Sequence, residues 1–266
     1  MNQMSITNRY EMYIVGGYVR DKLLGIESKD IDFCFVINKE PNEYISIENG
    51  FQEMKQWLCK EGFTIFLETP TMLTIRAKFP QTQDHNKMFS TKYINTGLTA
   101  DFVLARKEVY LDPNSRQPVV ELGTLYDDLE RRDFTVNAMA YDLNGNLIDL
   151  FNGIADLNNC ILKTPIDPCI TMKDDPLRVL RAMRFCVTKD FTISNELNEA
   201  ISNNIIIEKL FNVVSKDRIR EELHKMFKYS TVKTINLLVE YDKKIPNFLK
   251  NIFDDNMWLK PTNSSK

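Results

Sequence analysis

Short β-rich runs alternate with helical stretches through the first half of the chain. Glu11–Val15 reads as a strand, Gly16-Gly17 turns the backbone, and Tyr18–Leu24 follows as an amphipathic helix. Ile31–Ile37 has the alternating pattern of a strand with one apolar face. A helix is predicted over Tyr44–Lys60, ended by Gly62. Phe63–Glu68, Met72–Lys78 and Thr99–Ala105 read as further strands. After Asp174 the period lengthens to that of a helix and stays there, predicting helices over Pro176–Lys189, Asn195–Asn203, Lys216–Lys228 and Thr231–Tyr241. The stripe Leu177, Leu180, Val187 buries one side of the first of these. The change from mixed to all-helical pattern falls near 150–173, with no repeat and no low-complexity linker, and the closing LKPTNSSK reads as frayed.

Composition narrows the class without naming a function. A chain of 266 residues, 43% hydrophobic and 27% charged, can bury one substantial core with a smaller appendage. No apolar run approaches the ~20 residues of a membrane span, and MNQMSITNRYE has neither a signal-peptide nor a transit-peptide pattern. A cytoplasmic, intracellular protein without a membrane partner is expected. The five cysteines, Cys34, Cys59, Cys160, Cys169 and Cys186, form no Cys-x-x-Cys pair; with only His85 and His224 beside them, no zinc site is expected. They read as reduced and mostly buried. A net charge of −3 means that any nucleic-acid binding must come from a local basic surface.

The chemistry concentrates in a few segments. In KDIDFCFV, strand alternation turns Asp30 and Asp32 to one face and Ile31, Phe33, Phe35 and Ile37 to the other. Residues two apart on a strand lie about 7 Å apart at Cα, a spacing at which two carboxylates converge on Mg²⁺, an ion that prefers oxygen ligands and shares its shell with substrate phosphates. A solvated strand face fits the same pattern. Just upstream, Gly16-Gly17-Tyr18-Val19-Arg20-Asp21 is a glycine turn feeding a helix start, where amides and the Arg20 guanidinium suit phosphate oxygens; it also suits a plain tight turn. In series the two describe a site for a nucleoside triphosphate.

GGYVRDKLLGIESKDIDF resembles the first motif of the polymerase-β-like superfamily in its class II tRNA nucleotidyltransferase version, the family of CCA-adding enzymes and bacterial-type poly(A) polymerases. ADFVLARKEVY with SRQPVVELGT, then RRDFTVNAMA, GNLIDLFNGIADL, DDPLRVLRAMRF and SKDRIREEL, resemble later blocks of that family in the same order, together covering Tyr13 to Phe227. The wording is nearer to eukaryotic-type members.

The resemblance implies an α+β fold: a nucleotidyltransferase head at 1–150, with a mixed, mostly antiparallel sheet flanked by helices, and an all-helical neck at 151–266 that selects the base and contacts RNA. It implies that Asp30, Asp32 and Asp101 are catalytic and hold Mg²⁺. It further implies that Gly16, Gly17, Arg20, Arg131, Arg132, Asp133 and Asn137 contact the ribose and triphosphate. Asp133 and Asn137 are four apart and share a face if helical, while Arg131 and Arg132 also suit surface ion pairs with Asp127 or Glu130. Asp174, Asp175, Arg178 and Arg181 are implied to bind the nucleotide. Pro176 suits a first helical turn capped by Asp174 or Asp175. An Asp175/Arg178 pair three apart matches the edge that cytosine and adenine share, an amino donor beside a ring-nitrogen acceptor. A capping Asp with an i,i+3 ion pair is the plain alternative. Arg106, Glu108, Tyr110 and Arg116 lie in the stretch resembling the family's flexible loop. Lys216, Arg218, Arg220 and Lys225 suit RNA phosphates, or a solvated face paired with Glu221 and Glu222.

By the resemblance, the body and tail that grip tRNA in the family are expected to be largely missing here. The implied activity is template-independent transfer from CTP and ATP to an RNA 3′ end, with tRNA as the expected RNA and CCA addition or repair as the expected product. A homodimer or partner protein would supply the missing grip. A poly(A) polymerase-like enzyme and a non-catalytic RNA-binding subunit are the alternatives.

Overall fold

The computed structural model describes residues 9–28, 30–80, 98–109 and 119–253. The chain divides into two compact units, Met1–Leu157 and Asn158–Lys266. In the first, β1 (Tyr10–Val15), α1 (Gly17–Leu23), β2 (Ile31–Ile37), α2 (Ile47–Lys60), β3 (Thr64–Thr69), β4 (Thr74–Lys78) and β5 (Thr99–Leu104) follow the predicted order. The hairpin β6 (Arg106–Val109) and β7 (Val119–Leu122), α3 (Leu125–Glu130), a 3₁₀ turn at Thr135–Asn137, β8 (Met139–Asp142), β9 (Leu147–Asp149) and α4 (Gly153–Asn158) complete it. The seven-stranded sheet runs β3-β4-β5-β2-β1-β8-β9, antiparallel throughout except where β2 and β5 pair in parallel.

The expected mixed, mostly antiparallel sheet is therefore present, with one correction to β2. Its pattern predicts one apolar face, yet Cys34 and Val36 are as buried as Phe33 and Phe35. β2 lies inside the sheet, so both faces are covered. On one side Phe33 stacks on Phe102 at 5.0 Å and Phe63 meets Phe102 edge-on at 5.1 Å. On the other, Cys34 and Val36 pack with Val15, Ala105, Leu129, Ala138 and Ala140. Full burial stabilises each large apolar side chain by ~1.5–3 kcal/mol, enough for such a strand to carry one half-buried carboxylate at its start. α2 begins three residues later than predicted because the Ser46 hydroxyl caps it, accepting from the Asn49 amide; Tyr44 is left exposed.

The second unit contains β10 (Ile161–Leu162), α5 (Pro168–Asp174), α6 (Arg178–Lys189), β11 (Thr192–Ile193), α7 (Asn195–Ile201), α8 (Asn204–Val213), α9 (Lys216–Tyr229), α10 (Thr231–Asp242) and α11 (Phe248–Phe253). It is helical apart from the short parallel pairing of β10 with β11. Leu177, Leu180 and Val187 are buried as predicted, and α6 packs on α9. α8 went unread because Ile205-Ile206-Ile207 blurs the period; only Ile206, Ile207 and Leu210 turn inward. The cysteines are free, but Cys34 alone is buried; Cys59 and Cys160 are exposed and the other two intermediate, so the expectation of mostly buried thiols fails. Among the described residues, no helix is long and apolar enough to cross a membrane.

Candidate active site

The sheet register brings the first unit's acidic residues together. Asp32 of β2 lies opposite Asp101 of β5 in the parallel pairing, and Asp101 lies opposite Arg76 of β4 in the antiparallel one. One row across the sheet thus reads Arg76, Asp101, Asp32. Asp30 stands one residue before β2 and is exposed. Burial pushes the Asp32 carboxyl above its ordinary pKa; Arg132 and Arg76 oppose this, while the charges of Asp101 and Asp30 add to it.

Asp101 is engaged by the Arg76 fork: Nε donates to Oδ1 and Nη2 to Oδ2, each at 2.6 Å. Among the described residues, no group of three or more acidic, histidine or cysteine side chains is placed to hold a metal ion. The donor set nevertheless fits a hard divalent ion, for it offers only carboxylate oxygens, and their mutual repulsion is what a dication offsets. Magnesium also leaves part of its shell to water and phosphate.

Gly16 closes this end of the sheet. At φ 76° and ψ −140° it occupies backbone space that is almost glycine's alone. A Cβ there would stand 2.9 Å from Arg132 Nη1 and 3.5 Å from Asp32 Oδ2. Positive charge beside the turn comes from Arg20, whose Nη2 is 3.4 Å from a Cβ built on Gly17, and from Arg132. The Arg132 guanidinium is aimed from beneath: Nη2 and Nε donate to Asp128 Oδ2 at 2.8 and 3.2 Å, and Arg131 donates to Asp128 Oδ1. Asp128 is wholly buried. Burial alone would raise its pKa, but Arg131 and Arg132 outweigh it and hold the carboxyl well below the usual range.

Arg20 is buried too and bonded within the protein. Nε and Nη2 reach Asp21 at 2.9 Å, and Nη1 donates to Asn137 Oδ1. Asn137 Nδ2 in turn donates to Asp133 Oδ1 at 2.9 Å. Asp133 and Asn137 therefore do share a face, although the turn between them is 3₁₀ rather than α-helical. One polar chain runs from Arg20 through Asn137 to Asp133, bracing the glycine turn against the RRDFTVN segment.

Sequence reasoning missed Asp128 and Arg76. Asp127, offered as an arginine partner, is engaged instead in a capping box with Thr124, and Glu130 acts on the Tyr126 hydroxyl, raising its pKa. The i,i+3 and i,i+4 spacing of Asp128 to Arg131 and Arg132 carried the signal. Arg76 had none until the register was known. Of the loop residues, Arg106 sits in β6 and donates to the Met72 carbonyl at 2.8 Å. Glu108 belongs to β6 by its backbone, while its side chain, Tyr110 and Arg116 lie outside the described residues.

The second unit holds the remaining candidates. α5 ends at Asp174, Asp175 is extended at φ −136° and ψ 96°, and α6 starts at Arg178. The helix thus begins two residues later than predicted, and Asp175 precedes it. Asp175 Oδ1 accepts from the Leu177 amide, and Oδ2 accepts from Arg218 Nη2, both at 3.2 Å. Arg178 Nη1 donates to the Thr171 carbonyl at 3.1 Å. The buried Glu222 accepts from Arg184 at 2.5 Å and Lys225 at 3.2 Å, with Arg181 at 4.0 Å. Arg220 pairs with Asp217. Much of the basic face of α9 is thus matched by carboxylates.

The family model described as "Poly A polymerase head domain" matches residues 12–163. One described as "Probable RNA and SrmB- binding site of polymerase A" matches 190–243. The chain is 33% identical over 235 residues to tRNA nucleotidyltransferase cca2 of Schizosaccharomyces pombe, covering 87% of this chain and 46% of that protein. It is 31% identical over 250 residues to the A-adding tRNA nucleotidyltransferase of Aquifex aeolicus, covering 88% and 26%. A solved tRNA nucleotidyltransferase, complexed with a primer tRNA and an incoming ATP analog, matches with TM-score 0.64 and 27% identity, covering 92% of this chain and 60% of that one. The chain spans less than half the length of these two curated relatives. With the head motifs in order on the matching sheet, the chain belongs to the poly A polymerase head-domain family, alongside tRNA nucleotidyltransferases and CCA-adding enzymes.

Proposed function

We propose that this protein is a nucleotidyltransferase that extends an RNA 3′ end from CTP and ATP without a template, its substrate being tRNA and its product the CCA end or a repaired part of it. The observation that carries this reading is the Asp32–Asp101 pairing in β2 and β5, beside a glycine turn topped by Arg132. In the reaction the 3′-hydroxyl oxygen bonds to the α-phosphorus, the bond to the leaving pyrophosphate breaks, and the hydroxyl proton is lost to solvent. Asp30, Asp32 and Asp101 are the residues that would hold a divalent cation, Mg²⁺ by the all-oxygen donor set. When bound, the ion supplies charge neutralisation at the triphosphate and acidifies the attacking hydroxyl.

The chain's own residues bind and orient. Arg132, aimed by Asp128, meets triphosphate charge next to Gly16 and Gly17; Arg131 shares the same anchor. Arg20 braces Asn137 and Asp133, and Asp133 accepts from a ribose hydroxyl, favouring ribonucleotides. In the second unit, Asp175 as acceptor and Arg178 as donor complement the amino and ring-nitrogen edge of cytosine and adenine. Asp174 and Arg181 support that pair. The five free cysteines support work in a reducing, intracellular compartment.

The test is incubation of purified protein with tRNA lacking its 3′ end, Mg²⁺ and each labelled nucleoside triphosphate. Incorporation of CTP and ATP, with UTP and GTP refused, is the expected result. Equal use of all four removes the base-reading pair, and long A tails with CTP ignored favour poly(A) synthesis.

A further inference from the structure

Arg76 has no place in the reading above, yet it touches the site. β4 and β5 set it opposite Asp101, and β5 and β2 set Asp101 opposite Asp32. Its planar fork covers both Asp101 oxygens at 2.6 Å. A guanidinium so placed competes for the lone pairs that a metal ligand must offer. It is also the second guanidinium, with Arg132, to act electrostatically on Asp32. The acidic row is thus charge-compensated by arginine on either side.

We propose that Arg76 is a positioning residue that holds Asp101 while no divalent cation is bound and yields it when one arrives, so that the fork sets the cation affinity of the site. This rests on the reading of Asp101 as a metal ligand. The Arg76 side chain is about half exposed, and ion pairs at that exposure are weak. The clamp therefore delays and weakens loading without preventing it. Released, the guanidinium attracts negative charge, so an anionic substrate would favour the open state. Cation loading and substrate arrival become coupled through one arginine.

Calorimetric titration with Mn²⁺ alone, without nucleotide, tests this on the whole chain. Arg76→Gln removes the charge at similar length, and Arg76→Lys keeps the charge but loses the two-pronged geometry. Removing a weak pair that competes directly for one ligand tightens Mn²⁺ binding by roughly two- to fivefold in Arg76→Gln, and Arg76→Lys falls between Gln and wild type. The gain disappears when Asp101→Asn is added, because the clamp acts only through Asp101. A gain that persists with Asp101→Asn reflects general field relief and overturns the clamp. Equal affinity in wild type and Arg76→Gln overturns it as well. If neither wild type nor variants bind Mn²⁺ at millimolar concentration, the metal reading itself falls and the clamp with it. Thermal melts of each variant confirm folding, since a half-exposed strand residue can be replaced without opening the core.

Discussion

Asp128 and Arg132 form an ion pair four residues apart, with the carboxylate wholly buried and the guanidinium turned out toward Gly16. Removing Asp128 leaves the Arg131 and Arg132 guanidinium groups, each about a fifth exposed, without their shared partner, a loss of up to roughly 3–5 kcal/mol. Asp128→Ala should therefore lower stability by about that much in urea denaturation. Its folded carboxyl is held below the unfolded value, so the stabilisation is present above that value and lost as pH falls through the folded one. Wild-type stability should decline below about pH 5, and Asp128→Asn should flatten that decline. Melting temperatures taken from pH 3 to 7 read both effects.

Gly16 predicts a separate defect. An alanine there combines a backbone conformation costing about 1–3 kcal/mol with a Cβ at 2.9 Å from Arg132 Nη1. The guanidinium is the end of a flexible side chain and can move, which displaces it from the phosphate position. Gly16→Ala should bind nucleoside triphosphate more weakly by tenfold or more, a change that fluorescence titration with a labelled nucleotide would measure. Unchanged affinity would argue against Arg132 as a phosphate contact.

Asp32 faces like charge and partial burial, so without a cation its ionised form weakens the fold. Asp32→Asn should melt higher than wild type at pH 7 in the presence of a chelator. It should also lose most of the stabilisation that Mg²⁺ confers on the wild type. Equal responses to Mg²⁺ would place the ion elsewhere.

At the start of α6, Arg178→Ala removes the hydrogen bond to the Thr171 carbonyl, a bond worth about 1 kcal/mol. Its larger effect should be on choice of base: the ratio of CTP and ATP to UTP and GTP incorporation falls toward one, or all incorporation ceases. An unchanged ratio with normal turnover removes Arg178 from base selection.

Much of the head could be read from periodicity and punctuation. β2 was found at its true ends because Asp30 and Asn38 flank a run that is apolar but for Asp32, and α9 was found to within one residue because Ser215 caps a regular helical pattern. Asp30, Asp32 and Gly16 stood out through chemistry and spacing within one short segment. Arg76 did not, since its meaning depends on which strand lies beside β4, a fact of register rather than of local sequence. Asp128 was passed over for its neighbour Asp127 because only the folded helix reveals which of two adjacent carboxylates is already committed to a cap. The Asp174-Asp175-Pro176 step was read as a helix start, whereas α5 extends to Asp174 and leaves Asp175 in the junction.

The most direct measurement compares wild type with Asp32→Ala on tRNA lacking its 3′ end, following labelled CTP and ATP incorporation in Mg²⁺, with circular dichroism to verify that both are folded. Wild-type protein should add both nucleotides, and the folded variant should add neither above background. Turnover by the Asp32→Ala protein at the wild-type rate would contradict the account.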